Sequence, residues 1–295
     1  MKNSFVLYVL LLALAALQGC ERDVDFDLDD SPPKLVIEAT IENDQPPIVI
    51  LTRSLNYFSR IDPQILSQSF VRNADVFVSN GTLTHKLKEY SLTTGPGYVI
   101  YYYSIDSSNL ATAFTGKLNS SYSLRVVAEG SEYTAATTIP NITRRIDSLW
   151  WKPAPAVVDS NKALVMVRAT DPAGFGDYIR YMTSRNGGPF YPPFNSVFDD
   201  LFIDGTTYEL QIEQGIDRNA EREEGENLFN RGDTIRFKTS NIDKATYDFW
   251  RTMEFSYASI GNPFSSPVKV LSNVKGNALG YFGGYASQYH TLVIR

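Results

Sequence analysis

The amino-acid sequence predicts a mainly β fold, with two β-sandwich-like domains of which the second carries one amphipathic helix at about residues 240–258. Two observations predict this class. Short runs rich in β-branched and aromatic residues alternate with Gly, Pro, Asn and Asp, as in strands joined by tight turns. Apolar residues recur at helical spacing in one stretch near the C-terminal end. We place the two domains at residues 34–144 and 145–295.

Residues 1–19 are typical of a lipoprotein signal peptide. Lys2 supplies the positive charge, residues 5–17 form an apolar run, and Gly19 precedes Cys20. The run is shorter than the roughly 20 residues that a helix needs to cross a bilayer. We therefore expect cleavage before Cys20 and acylation of this cysteine, which would anchor the chain to outer-membrane lipid. The alternative is an ordinary secretory signal in which the cysteine is incidental.

Residues 20–33 are predicted to form an acidic tether, because like charges repel and little apolar surface is available for packing. The segment resembles the acidic export signal that Bacteroidota lipoproteins carry after the cysteine, which implies the outer leaflet facing the exterior. The residues of this signal are Glu21, Asp23, Asp25, Asp27, Asp29 and Asp30.

A calcium loop is the competing interpretation of these aspartates. Asp23 would be the first ligand of an EF-hand, which needs glycine at its sixth position and glutamate at its twelfth. Those positions hold Leu28 and Lys34. The sequence therefore argues against calcium binding here.

Composition excludes some classes of function. The net charge of −6 argues against nucleic acid as a partner, because phosphates demand a basic face. The single cysteine leaves no second thiol for a disulfide within the chain. No later apolar run reaches membrane-spanning length.

The first domain reads as a series of short strands. Asn80-Gly81 predicts a hairpin turn, because this pair accepts the positive φ angles of a type I′ turn. The domain resembles transthyretin-like, carboxypeptidase-regulatory-like modules, on residues 73–78, the Gly97-Tyr98 pair, Tyr122 and Tyr133. Such modules bind or brace other proteins, so the resemblance implies no catalytic machinery. The run Tyr101-Tyr102-Tyr103 fits a strand or a recognition surface.

The second domain combines further strands with an irregular loop. Phe190, Tyr191 and Phe194 lie in a stretch rich in Gly and Pro, which cannot form a central strand because proline lacks the donor that pairing needs. We expect this loop to expose part of its aromatic surface. The charged span 213–227 is predicted to be an excursion from the sheet.

One helix is predicted near residue 240. Ser240 and Asp243 have the spacing of a capping box, in which each side chain satisfies an amide of the first turn. An apolar face follows at helical spacing and is expected to cover a sheet. Its members are Ile242, Phe249, Trp250, Met253 and Tyr257.

The C-terminal stretch carries the most specific resemblance. Residues 261–267, 272–274 and 276–285 resemble a family of Bacteroidota outer-membrane lipoproteins, the domain-of-unknown-function (DUF) family 4249. Members are commonly encoded beside TonB-dependent receptors, which implies a surface partner of a transporter. Physically, Leu279, Tyr281 and Phe282 are expected to be inward anchors, and Phe264 to pin a turn; ligand contact is the other interpretation.

No catalytic residue, cofactor or metal site is predicted. His85 and His290 fall in predicted strands of different domains, and motifs for nucleophiles, phosphates and metals are absent from the sequence. A carboxylate pair of the glycosidase kind stays open, but no pair can be singled out.

The leading hypothesis is therefore a non-enzymatic, surface-exposed outer-membrane lipoprotein that serves a TonB-dependent transporter in nutrient uptake. The alternative is a stand-alone module that binds a glycan or peptide through exposed aromatic rings. The candidate binding residues are Phe190, Tyr191, Phe194, Phe264, Tyr281 and Phe282.

Overall fold

The computed structural model describes residues 32–55, 63–94, 98–155, 161–218, 227–260, 262, 265–266 and 268–295. The predictions for the signal peptide, for Cys20 and for the acidic residues 21–30 therefore lie outside the described residues. The same holds for Phe264.

Strands dominate the described residues, so the predicted mainly β class is confirmed. Two α-helices are described, α1 (Pro63–Ser69) and α2 (Lys244–Ala258), with a short 3-10 helix at Leu110–Thr112. The strands are β1 Leu35–Glu42, β2 Ile48–Arg53, β3 Asp75–Ser79, β4 Thr84–Lys86, β5 Lys88–Thr94, β6 Tyr98–Ser104, β7 Ser120–Ala128, β8 Ser131–Ile139, β9 Arg145–Pro153, β10 Lys162–Thr170, β11 Tyr178–Arg185, β12 Val197–Asp199, β13 Thr207–Ile212, β14 Phe229–Asn230, β15 Thr234–Ile242 and β16 Leu279–Val293.

The largest element is an eight-stranded sheet with the strand order β12-β11-β15-β16-β1-β2-β6-β5. Its central pair is β1 and β16, which lie near the two ends of the described chain. These strands run parallel, with Val36 opposite Leu279 and Glu42 opposite Tyr285. The other neighbours in this sheet are antiparallel.

The predicted boundary between residues 144 and 145 falls inside one compact unit, Pro33–Arg295. Within the eight-stranded sheet, β12, β11, β15 and β16 come from residues after the boundary, and β1, β2, β6 and β5 come from residues before it. The two predicted parts therefore each supply one half of a continuous sheet and meet where β16 pairs with β1. Local sequence patterns do not reveal this, since a strand's periodicity gives its burial but not its partner.

Two four-stranded sheets pack against one face of the eight-stranded sheet, which we call the inner face. The sheet β4-β3-β7-β8 covers β1, β2 and β16, and its core includes Ile37, Ile41 and Phe282. The sheet containing β9, β10, β13 and β14 covers β11 and β15, and its core includes Tyr181 and Phe237. These are the two sandwich-like layers that the alternating patterns predict.

Helix α2 packs on the opposite face, which we call the outer face, as a seal over the sheet. The helix begins at Lys244, and its N-cap is Asp243, whose carboxylate accepts the Thr246 amide proton at 2.8 Å. The predicted capping box at Ser240 is wrong, because β15 continues to Ile242 and the Ser240 hydroxyl pairs with Ser287 at 2.7 Å.

The predicted apolar stripe of α2 is largely correct. Phe249 is buried, and Trp250 and Met253 pack around it. Ile242 joins the same cluster from β15, whereas Tyr257 is partly exposed. Neither described helix is long and apolar enough to cross a membrane.

Candidate functional site

A cavity of about 270 Å³ opens on the outer face of the eight-stranded sheet, beside helix α2. Four neighbouring strands and one helix build it, since alternate residues of β1, β11, β15 and β16 point to the same side. The lining side chains are Thr40, Glu42, Arg180, Met182, Lys238, Ser240, Trp250, Tyr281 and Tyr285.

The depression follows from small residues on the strands that form its floor. Thr40 lies opposite Gly283 on β16, and Ser240 lies opposite Ser287. Larger side chains surround these residues, so the outer face is recessed here relative to the surrounding surface. An added side chain at Gly283 would meet the Tyr281 ring at 2.9 Å, so the aromatic wall lies tightly against this strand.

The aromatic wall is a connected cluster. The Tyr281 ring stacks on Phe249 with centroids 4.3 Å apart and meets Trp250 edge-on at 5.1 Å. The indole Nε1 of Trp250 donates to the Tyr285 hydroxyl at 2.9 Å, and this hydroxyl lies 3.4 Å from that of Tyr281. Burial raises the pKa of Tyr281 well above its ordinary value, so its phenol stays protonated at neutral pH.

Arg180 places a buried cation at the cavity. Only 4% of the residue is exposed, and its guanidinium carbon lies 3.4 Å from the centroid of the Trp250 ring. Its Nη1 donates to the Tyr285 hydroxyl and its Nε donates to the Ser196 hydroxyl, both at 3.3 Å. The described ion pairs include none with Arg180.

The carboxylate of Glu254 balances the charge of Arg180 without a direct bond between them. Glu254 of α2 accepts the Ser196 amide proton at 3.0 Å and also binds the Ser196 hydroxyl. Burial raises the pKa of the Glu254 carboxyl, against the hydrogen bonds from Ser196 and the charge of Arg180, which lower it. Ser196 therefore lies between the two charged groups.

A second charged pair lines the other side of the cavity. Lys238 forms an ion pair with Glu42, and each side chain is 16% exposed. The Tyr289 hydroxyl also donates to Glu42. The charge of Glu42 is thus matched within the protein.

The structure separates the six predicted binding residues. Tyr281 lines the cavity, whereas Phe282 points to the inner face and is fully buried in the sandwich core. Phe190 lies edge-on to Tyr289 at 5.8 Å, away from the cavity lining.

The other two described members of the predicted loop also lie elsewhere. The Tyr191 hydroxyl donates to Asp217 at 3.1 Å, and Phe194 is partly exposed beside α2. The predicted aromatic loop therefore does not form one platform with Tyr281. The sequence did not single out most of the cavity residues, namely Thr40, Glu42, Arg180, Met182, Lys238 and Tyr285. The sequence signal for these residues is weak, because each occupies an ordinary position in the inward and outward alternation of its strand.

The two histidines lie outside the cavity. His85 is buried in β4, where its Nδ1 lies 2.9 Å from the Thr112 hydroxyl and its Nε2 accepts the Asp106 amide proton. Burial lowers the pKa values of both His85 and His290. Neither histidine lines the cavity.

One acidic cluster has spacing suited to a cation among the described residues. Oxygen atoms of Asp171, Asp177 and Asp200 lie within 4.8 Å of one another. The buried guanidinium of Arg144 already pairs with Asp171, and Asp200 accepts the amide protons of Gly176 and Asp177. These contacts give the cluster a structural use in joining two loops.

Comparison with known proteins gives the family of the chain. The model of the domain of unknown function DUF4249 matches residues 21–290. No protein with a curated description matches the sequence. Since the match extends over well more than half of its residues, the chain belongs to the DUF4249 family.

Proposed function

We propose that this protein is a non-enzymatic, surface-exposed outer-membrane lipoprotein that acts as an accessory subunit of a TonB-dependent transporter in nutrient uptake. In this role the outer-face cavity holds a small solute for delivery to the transporter. The observation that carries the proposal is the cavity itself, a partly enclosed space of about 270 Å³ walled by aromatic rings and a buried cation. Apolar walls with a few convergent polar groups are typical of ligand sites.

The composition of the cavity favours binding over catalysis. Its hydroxyl and charged groups bind mainly to one another, and the two histidines that could activate a nucleophile lie elsewhere. The proposed localisation of the protein rests on the sequence of residues 1–30, with Cys20 as the lipid attachment site.

A surface at one end of the eight-stranded sheet supports docking to a partner protein. Phe175 and Phe202 are 73% and 92% exposed, and Leu201 is exposed beside Phe202. Their loops are joined, because the Gly174 amide donates to Asp204 at 2.6 Å. Exposed apolar side chains gathered on two joined loops favour an interaction with another protein.

This docking surface lies far from the start of β1. The sheet register aligns Tyr178 with Ile242, Ile242 with Tyr285, and Tyr285 with Glu42 at the end of β1. The loop before Tyr178 is therefore at the opposite end of the sheet from Leu35, where the described strands begin.

Affinity purification from detergent-solubilised outer membranes tests the proposal. We expect a β-barrel receptor to co-purify with the full-length chain, and mass spectrometry to find an acylated Cys20 at the mature N-terminus. The double variant Phe175→Ser, Phe202→Ser should lower recovery of the receptor at least tenfold. Leu110→Ser, at a residue exposed elsewhere, is the matched control and should leave recovery unchanged. Repeated isolation without any β-barrel, or an unacylated thiol, would overturn the proposal.

A further inference from the structure

We infer that the outer-face cavity binds a small organic carboxylate, with Arg180 as the group that receives the anion. The inference rests on the proposed function as a solute-binding lipoprotein and names the chemical class of the solute. It comes from the hydrogen bonds and charges of the cavity wall.

The guanidinium of Arg180 has unused binding capacity. It carries five N–H donors, and the protein uses two of them in bonds of 3.3 Å, longer than the usual range of about 2.7–3.2 Å. No described carboxylate lies within ion-pair distance. Glu254 balances the charge of Arg180 only through Ser196, so a ligand carboxylate that accepts two parallel bonds would give the guanidinium a direct partner.

Stacking fixes the direction in which Arg180 can bind. The guanidinium lies 3.4 Å from the centroid of the Trp250 ring, which occupies one of its faces. Its N–H groups therefore point outward in the guanidinium plane. Nη2 of Arg180 makes neither of these two hydrogen bonds and is not among the sealed polar atoms without a partner, in contrast to Nη1 of Arg144. We therefore place Nη2 on the side of the guanidinium that faces the cavity, which the Arg180 side chain lines.

Two carboxylates, Glu254 and Glu42, lie near the cavity, and neither bonds directly to Arg180. Glu254 is linked to it only through Ser196. Glu42 is neutralised by Lys238 and receives a second bond from Tyr289. The Tyr285 hydroxyl already accepts from Trp250 and from Arg180. Arg180 and the remaining N–H groups of Lys238 are therefore the free recognition elements of the wall.

Cavity size and lining define the rest of the ligand. A volume of about 270 Å³ corresponds to roughly nine water molecules at about 30 Å³ each. Trp250, Tyr281 and Met182 supply apolar surface next to the cation. A compact acid with one ring fits this combination, because its ring meets the aromatic wall while its carboxylate meets Arg180.

Isothermal titration of the full chain with matched probes tests the inference. Benzoate and phenylacetate carry the charge, whereas benzamide and phenylacetamide have nearly the same shape without it. We expect each acid to bind at least tenfold more tightly than its amide. Arg180→Gln should abolish this preference. Arg185→Gln, at an exposed arginine of the same strand, should retain it.

A second variant keeps the test decisive if Arg180→Gln fails to fold by circular dichroism. Thr40→Met fills the cavity from its floor without touching the cation, and should weaken binding of both acids at least tenfold. Amides that bind wild type as tightly as acids would overturn the inference. So would a preference for acids that survives in Arg180→Gln, or wild-type protein that binds none of the four probes.

Receptor co-purification is scored without added acid, so the two failures are distinguishable. Loss of acid binding with the receptor still recovered removes the ligand class alone. Loss of the receptor removes the transporter role, whichever probe binds.

Discussion

The two faces of the eight-stranded sheet are built by the same strands but have different chemistry. On β1, Ile37 and Ile41 point to the inner face and are fully buried, whereas Thr40 and Glu42 point to the outer face and line a cavity. The inner face is closed by two further sheets. Helix α2 covers only part of the outer face, and polar and charged groups remain where the cover ends.

Under the proposed function, this difference separates stability from recognition within one sheet. Close-packed apolar side chains on the inner face hold the strands in register. On the outer face a buried arginine and an ion pair sit where apolar residues would pack more simply. Under the proposed function, these polar groups are the ones that serve binding. Three experiments test the comparison.

The largest effect is expected on the inner face. Phe282→Ala removes a fully buried ring from the sandwich core, and we expect the free energy of unfolding to fall by about 3–5 kcal/mol in denaturant titrations. Leu279→Ala on the same strand is the control, since Leu279 is 44% exposed and such changes stay within about 0.5 kcal/mol. Equal losses in the two variants would contradict the assignment of faces.

Leu279 also shows how far the sequence could predict the fold. The tail sequence predicts Leu279, Tyr281 and Phe282 as inward anchors, and two of the three are buried. Strand periodicity identifies buried positions but not the face to which they belong, so Tyr281 and Phe282 end on opposite sides. The parallel pairing of β1 with β16 leaves no local pattern, because its two strands lie at opposite ends of the chain.

The cavity was harder to predict than the strands. Arg180 lies between Ile179 and Tyr181 and reads as an ordinary outward-facing residue of an alternating strand. Its burial comes from Trp250, whose position the sequence predicts only as part of a helix seal. Likewise, the sequence predicts a start of α2 several residues before Lys244, because Ser240 fits an N-cap as well as it fits the end of β15.

A middle-sized effect is expected where the two faces are joined. One Asp243 oxygen caps α2 on the outer face, and the other accepts from the Thr137 hydroxyl and the Thr138 amide of β8, both at 2.9 Å. Asp243→Ala removes the cap and leaves these donors without a partner, so we expect a loss of about 2–3 kcal/mol in unfolding free energy.

Two variants control the Asp243 measurement. Asp243→Asn keeps an oxygen that accepts for the cap, but its NH2 group accepts from neither β8 donor, so its loss should be intermediate. Asp248→Ala removes a partly exposed acid of the same helix that pairs with Lys244, and should cost only about 0.3–0.5 kcal/mol. An Asp243→Ala loss as small as that of Asp248→Ala would show that the joint carries little stability.

The smallest effect is expected for the ion pair at the cavity wall. A double-mutant cycle with Glu42→Gln and Lys238→Met should give a coupling of about 1 kcal/mol, because the partly buried side chains are shielded from solvent. The exposed pair Lys244–Asp248 is the reference, with an expected coupling of about 0.3–0.5 kcal/mol that falls in high salt. If the outer face were ordinary solvated surface, the two couplings would be equal and equally sensitive to salt. A larger, salt-resistant value for Glu42–Lys238 would instead show that the cavity wall shields the pair from solvent.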